Sequence, residues 1–300
     1  MTRGGAWVPI VGGLLWLLAI ACAAPPVVDF RQSGTLLATD DPRADRVLRN
    51  YLDLVERRSA VRGTARVLLE GPDFKLNRPQ RILVERPARI RFEVIGLFDQ
   101  LAAIFATDGR HFGFYDVSNG RISRGRVTPT LLWDLAKMDL EVHEVVGLLL
   151  GSPRPTSGLA RAAVWLEPAG GLVLAFAWPD ADTAADCTAP PRRALLESTC
   201  FVTLESLENG GEIFGFDVDG RLVELRGLDS GGVTRFRASF EDYRLLDGDP
   251  AGVAFPNRVT VQSPAAESLA RFVWKRVMLA DGLPDRFFMI PERGVASQGG

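Results

Sequence analysis

Catalysis needs nucleophiles, acids or ligands that can converge, and this 300-residue sequence offers few of them. Its two histidines, His111 and His143, fall in different expected elements. That leaves little for a histidine-based metal centre or a histidine-dependent nucleophile. Asp229-Ser230-Gly231-Gly232 could present a serine. It also reads as a plain turn between two strands, and neither histidine has a matching context. Adjacent acids such as Glu241-Asp242 fall on a strand, where neighbours point to opposite faces instead of converging. There is no phosphate-binding glycine loop, dinucleotide fingerprint or HExxH helix. The expectation is no catalytic residue, no metal and no cofactor beyond a covalent lipid. That leaves the three cysteines, Cys22, Cys187 and Cys200.

Cys22 ends an almost uninterrupted apolar run over residues 6–21, preceded by Arg3 and closed by the small residues Ala19 and Ala21. A short apolar run ending in small residues reads as a secretion signal. Leu18-Ala19-Ile20-Ala21-Cys22 resembles the bacterial lipobox, with Ala19 where leucine is usual. Residues 1–21 are thus expected to be removed and Cys22 acylated. The alternatives are an ordinary signal peptide or an N-terminal anchor helix. In an oxidising compartment Cys187 and Cys200 are expected to pair as a disulfide stapling the proline-rich excursion 187–200. Such a loop gains on the order of 3 kcal/mol. The alternative is two unpaired small hydrophobes. A net charge of −2 argues against a nucleic-acid partner.

The elements that would position everything else are mostly strands. Residues 22–40 read as a lipidated N-terminus and linker. Asp41-Pro42 opens a helix to about residue 58, with Val47, Leu48, Tyr51, Leu52 and Val55 as its apolar stripe. From residue 61 the hydrophobic period becomes two. Asp108-Gly109, Asn119-Gly120 and Asp219-Gly220 mark tight hairpins. Residues 128–151 interrupt the meander with two short helices. The second carries Val142, Val145, Val146 and Leu149 on one side. Strands then resume, with segments 201–207 and 286–290 among them. The expected fold is mainly β: a single curved antiparallel sheet of about 11–12 strands, forming an open half-barrel with helices as lid or plug. The domain spans 41–292, with a flexible tail at 293–300. Phe92, Phe105, Phe112, Phe236, Phe240, Phe272 and Trp274 are the aromatic positions expected to face its concavity. One hairpin tip, Gly96-Leu97-Phe98-Asp99, is unusually apolar for a turn, so it either folds back or touches something greasy.

This order of elements resembles the LolA/LolB lipoprotein-carrier superfamily, and the LolB-like outer-membrane lipoproteins most. The segments that carry the resemblance are Glu85-Arg86-Pro87 with Arg91, Gly96-Leu97, Thr107-Asp108-Gly109 before Tyr115-Asp116, Leu148-Leu149-Leu150-Gly151, Phe255-Pro256, and Phe287-Phe288-Met289-Ile290-Pro291. The resemblance implies an open half-barrel with an acyl-binding cavity lidded by helices. It implies Arg86 as a lid contact and Leu97, with Phe98 beside it, as a membrane-insertion loop. The partners it implies are lipid or lipoprotein acyl chains, the membrane, and a periplasmic carrier or envelope-complex protein. The site it implies is the outer membrane, facing the periplasm. The excursion 187–200 has no counterpart in that pattern.

Overall fold

A computed structural model describes residues 34–96, 98–180, 201–246, 252 and 254–290. The cleavage region, Cys22, Leu97, the Cys187 and Cys200 pair and the tail lie outside the described residues. Within them the chain forms one antiparallel sheet of fourteen strands. Its strands are β1 (Thr35–Leu37), β2 (Ala60–Gly71), β3 (Phe74–Glu85), β4 (Arg89–Ile95), β5 (Leu101–Thr107), β6 (His111–Asp116) and β7 (Arg121–Arg126). They continue with β8 (Ala160–Leu166), β9 (Leu172–Ala177), β10 (Gly211–Phe216), β11 (Leu222–Leu228), β12 (Thr234–Arg244), β13 (Phe255–Ser263) and β14 (Ser268–Ala280).

The spatial order is β1-β8-β9-β10-β11-β12-β13-β14-β2-β3-β4-β5-β6-β7, so β1 and β7 are edges and the sheet stays open. Fourteen strands exceed the expected 11–12, and one of them, β1, lies in the segment expected to be linker. In the other direction, two segments read as strands are 3-10 turns, Leu204–Asn209 and Asp285–Phe288. Leu204 and Leu207 are three residues apart, the spacing of such a turn, and pack together on the outer face of β8–β10. Leu283 and Phe288 pack on Ala60 and Leu83 in the same way.

Three helices lie on the concave side: α1 (Pro42–Arg57), α2 (Leu131–Ala136) and α3 (Val142–Leu149). The Asp41 side chain accepts from the Arg43 amide to cap α1. Ala44, Leu48, Tyr51 and Val55 of α1 are buried, as are Val142, Val146 and Leu149 of α3. They share one core with inward residues of the sheet such as Val67, Ile82, Phe214, Phe236 and Trp274. α3 starts at Val142, where Glu144 turns back to accept from the Glu141 amide. It ends at Gly151, whose φ of +61° is left-handed. A Cβ there would also meet Pro256 Cγ at 2.4 Å, so the site excludes any side chain twice over.

Topology fixes where the helices go. After β7 the chain leaves one edge of the sheet, passes across the concavity as α2 and α3, and re-enters at β8 beside the opposite edge. The crossing is pinned to the β13–β14 turn, where the Asp139 amide donates to Ser263 Oγ and Ser268 Oγ donates to the Lys137 carbonyl. Arg235 on β12 adds ion pairs to Asp139 and Glu144.

Candidate functional site

The concave face is filled unevenly. Over β8–β14 the aromatic rings of the sheet interlock with α1. Tyr51 meets Phe214 and Phe216 edge-on, and Phe176 meets Phe214 the same way. Under α2 the filling stops short. A cavity of about 310 Å³ remains between α2, α3 and strands β2–β6, β13 and β14. It is walled by residues such as Val67, Leu69, Val94, Leu132, Val145 and Val261, and among the described residues Gln80 is the only polar side chain of its lining. That volume is at the lower end of small-molecule pockets, which run from about 300 to 1,000 Å³.

Of the seven expected aromatic positions, Phe92, Phe105 and Phe272 line this cleft. Their rings form a stacked row, with centroids 6.2 Å apart for Phe92–Phe272 and 6.4 Å for Phe92–Phe105. The row arises from register: Phe92 lies opposite Phe105 across β4–β5, and period-two alternation puts both on the inner face. Phe112 extends it by stacking on Phe105 but is not part of the cleft wall. The other three positions are corrections. Phe240 and Trp274 are buried in the core shared with α1 and α3 and are not part of this cleft's wall, while Phe236 lines a different cavity that has charged side chains in its wall. Inward parity puts a ring on the concave face, but only the helices decide whether that face is covered. Phe114, Leu135 and Ala270, not expected from sequence, do line the cleft.

The rim is apolar and open. Phe98 is 88% exposed, at the β4–β5 tip that follows directly on cleft-lining Val94, so its side chain does not fold back. The tip is closed by the Gly96 amide on the Gln100 carbonyl and the Phe98 amide on Gln100 Oε1. Trp133 and Leu135 of α2 and Phe114 of β6 are also exposed, well beyond what a buried helix face shows.

Arg86 stands where the β3–β4 turn meets the end of α3. Its Nη2 donates to the Ser152 carbonyl and at 3.1 Å to Ser152 Oγ, and its Nε donates to the Arg58 carbonyl. The same segment takes the Tyr51 hydroxyl on Pro153 O at 2.6 Å and Arg58 on Gly151 O at 3.2 Å. Burial lowers the Arg86 guanidinium to about 10, still charged at neutral pH. A cluster of polar side chains lies beside the core on the other side of α3. Glu212 lies on the same face of β10 as Phe214 and Phe216 and accepts from Thr156, at 2.6 Å from Oγ1 and 3.0 Å from the amide. Burial pushes it up to about 7, against the pull of those two bonds. Glu144, raised by burial and opposed by Arg235, lies nearby. The missed signal was a glutamate on the apolar parity of an alternating strand. Ser230, by contrast, is exposed in a turn where Asp229 Oδ1 accepts the Gly231 and Val233 amides.

Sheet, plug and cleft together make an open antiparallel half-barrel with an apolar, helix-covered cavity, the fold the LolA/LolB resemblance implies. No protein-family model and no curated protein sequence matches the chain. Among solved structures it is similar to a domain from Vibrio parahaemolyticus described as an outer-membrane lipoprotein-sorting protein, with TM-score 0.48, 10% identity and coverage of 81% of this chain and 95% of that one. It is similar to a LolA superfamily protein from Nitrosomonas europaea, with TM-score 0.45, 12% identity and coverage of 81% and 97%. A DUF1329 family protein from Desulfovibrio piger is also similar, with TM-score 0.46, 10% identity and coverage of 83% and 96%. With TM-scores under 0.5, these likenesses leave the site to be read from its own residues.

Proposed function

We propose that the protein is a non-catalytic, lipid-anchored envelope protein that holds acyl chains in the cleft under α2 and helps deliver them to the outer membrane. The observation that carries this reading is the cleft itself, walled by the Phe92-Phe105-Phe272 row and opening among exposed Phe114 and Leu135. The mechanism is burial without chemistry. Each methylene moved from water is worth about 0.8 kcal/mol, so ten of them contribute about 8 kcal/mol before the entropy of ordering the chain. Cys22 would carry the anchor, and Leu97 with Phe98 would dip into the bilayer at handover, Arg86 holding α3 until then.

The test is native mass spectrometry of the protein purified without detergent, together with uptake of a long-chain fluorescent fatty acid. Reproducible lipid adducts and uptake are expected. Ala270→Phe, which places a ring in the cleft from its floor, is expected to lower uptake at least tenfold and leave the folded spectrum unchanged. A clean mass with no uptake would instead favour an adaptor lipoprotein of an envelope complex. That second reading draws on the other half of the concavity, where Phe240 and Trp274 are buried in the core shared with α1 and α3.

A second outcome concerns the tip. Burying a phenylalanine side chain is worth about 1.5–3 kcal/mol, so Phe98→Glu is expected to weaken vesicle binding roughly tenfold to a hundredfold. Co-sedimentation with phospholipid vesicles measures this, and unchanged partitioning would remove the tip from the mechanism.

A further inference from the structure

On its other side α3 borders a second cavity, also of about 310 Å³, with a different character. Leu148 is shared with the apolar cleft, but here the wall includes Arg86, His143, Glu144, Arg154, Thr156 and Glu212. The two carboxylates are already engaged. Both Glu144 oxygens take Arg235 Nη2, and both Glu212 oxygens take Thr156. The cations are not matched in the same way. Arg86 has no carboxylate within ion-pairing distance among the described residues, and its acceptors are the Arg58 carbonyl and the carbonyl and hydroxyl of Ser152. None of these involves its Nη1. Arg154 lies close enough to depress the Arg86 guanidinium electrostatically, and its acid partner among the described residues is Glu56 outside the cavity, 67% exposed, at 2.7 Å. A part-buried guanidinium with no carboxylate in ion-pairing distance is costly, and a second guanidinium beside it makes the cost larger, with Glu56 offsetting part of it. An anion entering the cavity relieves both.

We propose that this cavity binds a phosphate-class oxyanion on Arg86 and Arg154, supplied as the head group of the lipid whose chains occupy the apolar cleft or as free phosphate. Two guanidinium forks suit an anion with several acceptor oxygens better than a single carboxylate. The head-group source rests on the acyl-binding reading, because α3 and Leu148 would then separate the polar and apolar ends of one ligand.

Calorimetry on the full chain tests this with three probes: inorganic phosphate, short-chain phosphatidylglycerol and the uncharged diacylglycerol of the same chain length. The phosphatidylglycerol is expected to bind at least tenfold more tightly than the diacylglycerol. Arg154→Gln, which leaves the Ser152 contacts of Arg86 in place, should remove most of that preference. Arg86→Lys, which keeps charge but loses the fork, should remove part of it. Affinity for the diacylglycerol should be unchanged in Arg154→Gln. Phosphate binding that needs the two arginines, without any preference between the lipids, would support the site and assign it to the free anion. Equal binding of both lipids with no response to phosphate would overturn the site and leave the acyl cleft intact. Failure of the diacylglycerol alone would count against the cleft and not against the anion site.

Discussion

Trp274→Ala is expected to cost roughly 3–5 kcal/mol of folding free energy, the range for truncating a large buried ring. Trp274 is 2% exposed, edge-on to Phe255 at 6.2 Å, and locked into β14 opposite Ala65. For a domain of this size that is a fall of roughly 10 °C in midpoint. Below the unfolding transition, lipid uptake should be unchanged, because the ring is no part of the cleft wall. The indole carries a further prediction. Its Nε1 is buried without an acceptor among the described residues. Trp274→Phe therefore exchanges an unsatisfied donor for a smaller ring, and should cost far less than the alanine variant. Urea unfolding of both variants measures the pair. A stable alanine variant that no longer takes up lipid would show that Trp274 is a cavity wall after all.

The protein is also expected to be more stable at pH 5 than at pH 8, an inversion of the usual behaviour of paired carboxylates. Burial, opposed by the Thr156 bonds, lifts Glu212 from an ordinary 4.5 to about 7. Between those values the folded protein keeps a proton that the unfolded chain has released, so stability falls as pH rises across that interval. The full excursion is worth up to about 3 kcal/mol. Glu144, also raised by burial, adds to it in the same direction, with Arg235 opposing. The carboxylates held low, such as Asp41 by Arg43 and Asp116 by Ser118, act oppositely, and their contribution is lost as pH falls through their folded values below 3.8. Glu212→Gln keeps an acceptor for Thr156 and removes the titration. It should flatten most of the slope between pH 5 and pH 8. Urea midpoints at pH 5, 6, 7 and 8 decide it, and a wild-type protein equally stable at both ends would sink the account.

Local chemistry made much of this fold legible. Gly109, Gly120 and Gly220 take φ of +90°, +68° and +76°, which is why Asp-Gly and Asn-Gly between alternating runs located three hairpins. The stripe of α1 was readable because Leu48, Tyr51 and Val55 recur at helical spacing and all are buried. The failures share one cause, tertiary cover. Residues 201–207 alternate well enough to look like a strand, yet Leu207 is buried because it caps an outer face of the sheet already full of Ala163, Trp165 and Ile213. Phe92 and Trp274 have the same inward parity, and only the position of α2 against α1 makes one a cleft wall and the other core. Glu241 and Asp242 do not simply alternate: Asp242 has φ of +55° and drops out of the pairing between Glu241–Arg258 and Tyr243–Pro256, leaving both acids exposed.

The route of α2 and α3 from one side of the sheet to the other has a mechanical consequence. A flap hinged at one end can swing clear of what it covers. A strap fastened at both ends can only tighten or slacken, and this one is tied to edge strand β7 and to β8, next to edge strand β1. Because no pairing joins β1 to β7, the two rims can draw together or spread, and each such change alters the slack. Sheet curvature and cleft width thus behave as a single coordinate, so that a force applied to either rim is felt at the mouth of the cleft.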